Sequence, residues 1–183
     1  MSLAHALLTS LLERSSSGYD LARRFDKSIG FFWHATHQQI YRELARMEEA
    51  GWVVGADAPE GGRTRKRLYR VRPAGRRELK RWAREPAPIQ EPRDEFMVRL
   101  RADAVVGPLG LEAELQRRLA HHAARLQAYQ AIEAHDFSGA RPLTREARIH
   151  HLILQTGINY EKGRLDWTQQ ALRILTELDA GSR

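Results

Sequence analysis

The 183-residue sequence contains no cysteine, so neither disulfide bonds nor thiolate metal sites can form. It also lacks the uninterrupted apolar run of about 18 residues that a transmembrane helix requires. Its apolar start, residues 3–12, contains His5 and follows no basic segment, unlike a secretory signal peptide. These absences predict a protein of a reducing, cytoplasmic compartment, and they exclude disulfide-stabilised secreted folds.

One half of the sequence has no excess of positive charge, and the other half carries all of it. The net charge is +7. Residues 1–84 hold 17 Lys and Arg against 9 Asp and Glu, whereas residues 85–183 hold 13 against 14. Because the whole excess lies in the first half, the composition indicates a polyanion-binding module joined to a near-neutral second domain.

The basic half is organised around a helix predicted over residues 36–50. Ile40, Leu44 and Met47 recur at helical spacing and form one apolar face. Gly51 follows the last turn, where a glycine with positive φ often ends a helix. The opposite face carries polar and basic side chains, which can bind base edges or phosphates in a DNA major groove. These candidate DNA-binding residues are Gln38, Gln39, Tyr41, Arg42 and Arg46.

Two further helices are predicted before this one. Residues 3–14 show an apolar face, and Ser17 is placed to cap a second helix over residues 18–28. The segment 29–33 connects the second helix to the third, and we expect its aromatic residues, Trp33 among them, to fill the core.

A hairpin with a basic tip is predicted after the third helix. Residues 52–55 and 67–71 are its two short strands, with Trp52 and Val54 as apolar positions of the first. Four of the five residues 63–67 are basic, which suits a phosphate backbone or a narrow minor groove. The candidate wing contacts are Arg63, Arg65, Lys66 and Arg67. Three helices followed by such a hairpin are typical of a winged helix-turn-helix.

The rest of the chain is predicted to be helical, so the fold class is mainly α. A fourth helix begins after Pro73 and ends before residues 85–92, where three prolines mark a linker. We therefore assign residues 1–84 to a winged helix-turn-helix DNA-binding domain and residues 93–183 to a helical dimerisation domain.

The last helix, predicted over residues 143–178, carries apolar residues at spacings of 4 or 7, close to a heptad seam. A helix this long is hard to cover within so short a chain. We expect it to pair with the same helix of a second subunit, although packing against a helix at residues 111–135 would use part of the same face. The candidate dimerisation residues are Ile149, Ile153, Tyr160, Trp167, Ile174 and Leu178.

Several short motifs resemble the PadR family of bacterial transcriptional regulators. In the first half these are SGYDL at 17–21, QIYREL at 39–44, EEAGW at 48–52 and RLYRV at 67–71. In the second half, GINYE at 157–161 with LDW at 165–167 resembles the helical domain of the family's longer, virulence-activator-like branch. One departure is His37-Gln38, where the family usually has Pro-Gly.

The resemblance implies a homodimer with two N-terminal DNA-reading domains and a helical C-terminal dimerisation domain. It places Tyr41 and Arg42 at phosphate contacts, and Gln38 and Gln39 near base-reading positions. We therefore expect a sequence-specific regulator, a repressor, that binds an inverted repeat in double-stranded DNA with half-sites ~34 Å apart. Because some family members respond to small aromatic ligands, the resemblance also raises a small-molecule effector as a partner.

Two other functions, a protein-binding adaptor and an enzyme, make different predictions from the sequence. A helical adaptor could use the same basic face to bind an acidic protein, and a steep loss of DNA affinity with salt would distinguish the two. The histidine pairs 121–122 and 150–151 are adjacent and so point in different directions, whereas a helical zinc site needs ligands three or four residues apart. Without a phosphate-binding loop or a nucleophile elbow, we expect no enzyme, no metal and no cofactor.

Overall fold

The computed structural model describes residues 2–26, 33–57, 67–87, 93–139 and 142–181. These ranges contain seven helices and one three-stranded antiparallel sheet, which confirms the mainly α fold class. The helices are α1 (Ser2–Glu13), α2 (Gly18–Asp26), α3 (His37–Glu49), α4 (Pro73–Trp82), α5 (Glu95–Val106), α6 (Glu112–Asp136) and α7 (Arg145–Gly181). The strands are β1 (Ser16–Ser17), β2 (Val53–Asp57) and β3 (Arg67–Val71). None of the described helices is both long enough and apolar enough to cross a membrane.

The chain divides into two compact units, residues 1–90 and 91–183. Residues 88–92 lie outside the described residues, so the linker assigned to residues 85–92 stays a prediction, as do the domain limits drawn from it.

The first unit is built on one apolar core beneath α1, α2 and α3. Each fully buried aliphatic or aromatic side chain contributes about 1.5–3 kcal/mol relative to an exposed one. The buried residues are Ala4, Leu7, Leu8, Leu11, Leu21, Ala22, Phe25, Ala35, Ile40, Leu44, Met47 and Val53. The helical spacing in the sequence predicted the inward face of α3, whereas Trp33 is exposed and does not fill the core.

The sheet has one more strand than the predicted hairpin. β2 and β3 pair antiparallel from Val53 with Val71 to Asp57 with Arg67. β1 joins the other edge of β3, with Ser16 opposite Tyr69. A two-residue strand is too short to show an alternating pattern, so the sequence indicated only a break between the first two helices.

The inward face of β2 was predicted one residue out of register. Val53 is buried against the core, and Val54 is exposed. Trp52 lies before the strand, where it is half-buried and its ring is 6.2 Å from that of His5. Because side chains alternate along a strand, starting the strand at Val53 instead of Trp52 reverses which residues face inward.

Two polar side chains hold the short elements of this unit to the helices. The Ser17 hydroxyl accepts from the backbone N–H of Asp20 at 3.1 Å, which confirms it as the cap of α2. The Arg24 guanidinium donates to the Ser16 hydroxyl at 2.8 Å and to the Arg14 carbonyl at 2.9 Å. Arg24 therefore ties α2 to β1 and to the end of α1, and desolvation lowers its pKa.

The second unit consists of two long helices and one shorter helix. The Asp94 carboxylate caps α5 by accepting from the Phe96 N–H at 3.0 Å, and the Phe96 ring meets that of Trp167 edge-on at 6.5 Å. α6 and α7 pack along one another, and they approach closely where Tyr129 lies on Gly157. A Cβ at Gly157 would lie 3.0 Å from the tyrosine ring, so the small residue permits this contact.

Candidate nucleic-acid interface

The start of α3 is fixed by a capping box. The Thr36 side chain accepts from the Gln39 backbone N–H at 3.2 Å, and the Gln39 side-chain oxygen accepts from the Thr36 backbone N–H at 2.8 Å. Two backbone donors that a helix start leaves unpaired are thereby satisfied. His37 is the first helical residue, so the absence of Pro-Gly at this point is compensated by a side-chain cap.

This cap restricts what Gln39 can read. A glutamine recognises adenine by accepting a hydrogen bond through its amide oxygen while donating one through its amide nitrogen. The oxygen of Gln39 already accepts from the backbone N–H of Thr36 at 2.8 Å and from its hydroxyl at 3.3 Å, so both of its lone pairs are engaged. Bidentate base reading by Gln39 would therefore break the cap, which leaves Gln38 as the glutamine whose carbonyl is not used in the cap.

The outward face of α3 is polar and accessible. Gln38 and Arg42 are exposed, while Ile40 on the opposite face is fully buried. Arg46 is also exposed and donates to Glu43 at 3.0 Å in a pair one helical turn apart. An exposed pair of this kind contributes little to stability, so the guanidinium can leave it for a phosphate at small cost.

Tyr41 leans from α3 onto the first residue of α2. A Cβ at Gly18 would lie 2.5 Å from Cε1 of Tyr41, so this contact requires glycine. The Tyr41 ring is still about half exposed, and so is that of Tyr19, which carries the Arg23 guanidinium 5.7 Å from its centre. Two aromatic side chains therefore lie at the surface where α2 begins.

Glu48 joins α3 to the base of the wing. Its Oε1 accepts from the Gly55 N–H of β2 at 2.9 Å and from Nη2 of Arg67 on β3 at 2.7 Å. The Gly55 hydrogen bond, together with Arg67, lowers the pKa of the Glu48 carboxyl. Arg67 is thus exposed but already paired, and its remaining donors are available to a second anion. This role of Glu48 was not predicted from the sequence, because its two partners lie 7 and 19 residues away on the strands.

The tip of the wing falls outside the described residues, which stop at Asp57 and resume at Arg67. Three of the four candidate wing contacts lie there, and their assignment stays a prediction. They are Arg63, Arg65 and Lys66. The described part of the wing places only Arg67 on the unit that carries α3.

Most of the predicted dimerisation seam is exposed on α7. Trp167 differs, since it is half-buried against Phe96 and lies 5.3 Å from the Arg164 guanidinium within its own chain. The other seam residues are between 40% and 61% exposed, and they are Ile149, Ile153, Tyr160, Ile174 and Leu178. The face that α7 turns toward α6 is a different one, with Ile158 and Thr168 buried.

A buried ionic cluster on that inner face escaped sequence analysis. Glu161 is 2% exposed and accepts from Nε of Arg125 at 2.8 Å, and it lies 2.6 Å from Nδ1 of His122. Arg125 also donates to the Tyr129 hydroxyl. The available signal was that His122, Arg125 and Tyr129 recur at helical spacing on α6, facing an acid on the next helix.

Comparison with known proteins assigns this architecture. The family model described as "Transcriptional regulator PadR-like family" matches residues 7–81. The family model described as "Virulence activator alpha C-term" matches residues 92–176. A probable transcriptional regulator of Mycobacterium tuberculosis, Rv1176c, is 38% identical over 97% of this chain and 99% of its own length. The chain belongs to the PadR-like family of transcriptional regulators. The resemblance seen in the motifs is thereby confirmed, together with the expectation of a regulator instead of an enzyme.

Two solved PadR-family structures share the fold along nearly the whole chain. Bacillus subtilis PadR in complex with operator DNA superposes with a TM-score of 0.84 at 26% identity, covering 95% of this chain and 98% of its own. The Vibrio cholerae virulence activator AphA superposes with a TM-score of 0.80 at 32% identity, covering 97% and 99%. The B. subtilis protein has also been solved with p-coumaric acid, and in that form the TM-score is 0.76 at 26% identity over 95% of each chain.

Proposed function

We propose that this PadR-family regulator binds an inverted-repeat operator in double-stranded DNA as a homodimer and represses transcription there. The observation that carries the proposal is the capped helix α3, which presents Gln38, Arg42 and Arg46 outward while its apolar face is buried. A helix with this exposed face suits the major groove. The structure of B. subtilis PadR on operator DNA, at 26% identity, supports the same use of this unit.

Base and phosphate contacts are divided between the helix and the wing in this proposal. Gln38 reads a base edge near the start of α3, because its side chain takes no part in the cap. Arg42, Tyr41 and Arg67 contact phosphates, which fix the orientation of the helix without carrying sequence information. The basic tip, residues 63–66, extends the contact along the backbone or into the minor groove.

Two copies of the chain pair through α7 in the proposed dimer. Five seam residues on α7 leave large apolar side chains in water in a single chain, and a contiguous apolar surface of this kind typically marks an interface. Pairing places two α3 helices about one helical turn of DNA apart, ~34 Å, which explains an inverted repeat. An operator of this kind that overlaps a promoter would exclude polymerase, and the name "Negative transcriptional regulator" of the B. subtilis relative supports repression.

We also propose a small aromatic effector, since B. subtilis PadR was solved with p-coumaric acid. An effector acts by binding one arrangement of the dimer better than the other, and it can shift the equilibrium only by that difference in affinity. A regulator of this kind acts where the chromosome lies, in the cytoplasm.

Selection of random duplex DNA by the purified protein, with its mass in solution measured alongside, tests the proposal. We expect one inverted repeat bound by a dimer, with log affinity falling linearly as log salt rises. Gln38→Ala should cost about 1–3 kcal/mol and relax specificity at one position of each half-site, whereas Arg42→Ala should weaken all sequences alike and reduce the salt slope.

Arg173→Ala on the exposed face of α7 is the matched control, because it removes the same charge far along the sequence from α3. Recovery of no common sequence, with binding lost at moderate salt, would contradict the proposal and favour an adaptor for an acidic protein. Equal losses in Arg42→Ala and Arg173→Ala would contradict the assignment of α3.

A further inference from the structure

A cavity of about 410 Å³ lies in the second unit, among the two residues that precede α5, the first half of α6 and the middle of α7. Its walls are basic and aromatic, in a part of the chain whose overall charge is near neutral. The lining residues are Arg93, Asp94, Arg117, Arg118, His121, His122, Tyr160 and Arg164. Four arginines and a single carboxylate therefore face one solvent-connected space.

The carboxylates around this cavity do not balance its arginines. Glu114 accepts from Arg117 and from Arg118 at 2.7 Å each, and Asp94 accepts from Arg164 at 3.0 Å. Adding the neighbouring cluster, in which Glu161 pairs with Arg125, gives five arginines and three carboxylates among the described residues. Two positive charges remain, which matches a dianion.

The arginines are held in place before any ligand arrives. The Arg118 guanidinium lies 4.2 Å from the centre of the Phe96 ring, and that of Arg164 lies 5.3 Å from the centre of Trp167. Stacking on an aromatic face fixes the plane of the guanidinium fork. Side chains that are already ordered lose less conformational entropy on binding, and affinity gains accordingly.

One atom at the site lacks a partner. Nε of Arg164 is buried and makes no hydrogen bond within the described part of the chain. A buried donor without an acceptor is costly, and native structures usually satisfy such groups with protein, water or a ligand. Because Nε itself has almost no accessible surface, an oxyanion within the cavity would accept from the terminal guanidinium nitrogens of Arg164, and Arg118 and Arg117 would complete a set of charge-assisted donors.

We propose that this cavity binds a small organic dianion, with a phosphomonoester or dicarboxylate head group held by Arg164, Arg118 and Arg117. His121 at the wall is placed to contact the organic part of the ligand. Both head groups present paired oxygens to a guanidinium fork, which is the chemistry they share. The proposal does not rest on DNA binding, because all the residues involved belong to the second unit.

Calorimetric titration of the full chain with phenyl phosphate, and separately with succinate, tests the site in the absence of DNA. We expect saturable binding of at least one of these dianions, and the tighter of the two identifies the head group. Removing one charge-assisted donor with Arg164→Gln should weaken that binding by about tenfold or more. Binding should also raise the unfolding temperature of the wild type.

Variants separate a specific site from general attraction to a basic protein. Arg117→Gln is the second test, because this side chain is exposed and its loss should leave folding intact while weakening binding. Arg173→Gln on α7 and Arg76→Gln on α4, both at exposed arginines, are controls that should bind as the wild type does. The proposal is overturned by no binding of either dianion up to about 10 mM, or by equal losses in Arg117→Gln and in both controls.

Discussion

Among the described residues, the first unit buries twelve apolar residues beneath three short helices. The second, which includes two much longer helices, buries four, and they are Phe96, Leu115, Tyr129 and Ile158. Exposed large apolar residues show the reverse distribution. Within the described residues, eleven of them lie in the second unit and four in the first. The first unit is therefore a self-contained core, and the second leaves in water the apolar surface that a core would normally hide.

The buried polar groups of the two units differ in kind. In the described part of the first unit they are His5, Ser10, Ser16 and Ser17, with no carboxylate among them. In the second unit, Glu161 is buried between His122 and Arg125. A buried ion pair contributes little to net stability, because desolvation of the charges offsets their attraction. The interior of the second unit thus contributes less to stability, and we therefore expect this unit to depend on a partner copy.

The largest effect should come from placing charges on the exposed seam. Replacing Ile153 and Ile174 together with glutamate should raise the dissociation constant of the proposed dimer by at least about 1000-fold, since each uncompensated buried charge costs several kcal/mol. Sedimentation equilibrium measures the change. Val54→Glu, at an equally exposed valine on β2, is the matched control and should leave the dimer intact. A dimer that survives both seam charges would contradict the assignment of α7 as the interface.

Truncating one core residue in each unit should separate intrinsic from partner-dependent stability. Leu44→Ala in the first unit should lower the free energy of unfolding by about 2–5 kcal/mol, as for other buried leucines. The free energy of unfolding that this substitution removes should not vary with protein concentration. Ile158→Ala should lower the urea midpoint of the second unit's unfolding. That midpoint should rise with protein concentration, because association with a partner copy would stabilise the folded second unit by mass action. Urea unfolding at two protein concentrations tests this. Identical concentration dependence of the two transitions would remove the distinction between the units.

The smallest effect concerns acid stability in the first unit. A hydrogen bond from Arg81, and a weaker contribution from His5, lower the pKa of the Glu78 carboxyl from 4.5 to about 2. Because this folded-state pKa is depressed, the stabilisation is present above pH 4.5 and is lost as the pH falls toward 2. Glu78→Gln should therefore cost about 1 kcal/mol or less at neutral pH after solvent screening, and nothing near pH 2.

Glu114 supplies the matching carboxyl in the second unit. Arg117, which is exposed, and Arg118, which is half-buried, lower its pKa to about 2 as well. Thermal unfolding from pH 2 to 7 should show a smaller loss for Glu114→Gln than for Glu78→Gln, since Glu78 also joins α4 to α1 through His5 at 3.1 Å. A larger loss for Glu114→Gln would show that the ion pairs of Glu114 contribute more to stability than those of Glu78.

Much of the first unit could be predicted because its signals are local. The spacing of Ile40, Leu44 and Met47 predicts the buried face of α3, and the structure agrees. Gly51 has φ of +69°, as a glycine that ends a helix requires. In contrast, the predicted inward face of β2 was wrong. An error of one residue at the start of a strand makes Val54 the predicted inward residue in place of Val53.

Other features could not be predicted because each depends on residues distant in the sequence or on a choice between two partners. Glu161 meets His122 and Arg125 across 36 or more residues, only after α6 and α7 have packed. Gln39 has a side chain suited to base reading, yet the local cap takes its carbonyl oxygen. A sequence shows which chemical groups are available, and the folded backbone decides which partner each of them meets.

The sequence alone determined the helical character of the chain, the basic first half, the identity of α3 and the PadR-like family, because periodicity, charge and short motifs are properties of neighbouring residues. Only the tertiary structure decided that β1 completes the sheet, that Glu48 joins α3 to the wing, and that four arginines of a near-neutral half face one cavity. Side chains from separate elements can cooperate only where packing brings them within a few ångströms of each other, and that packing is set by the whole chain.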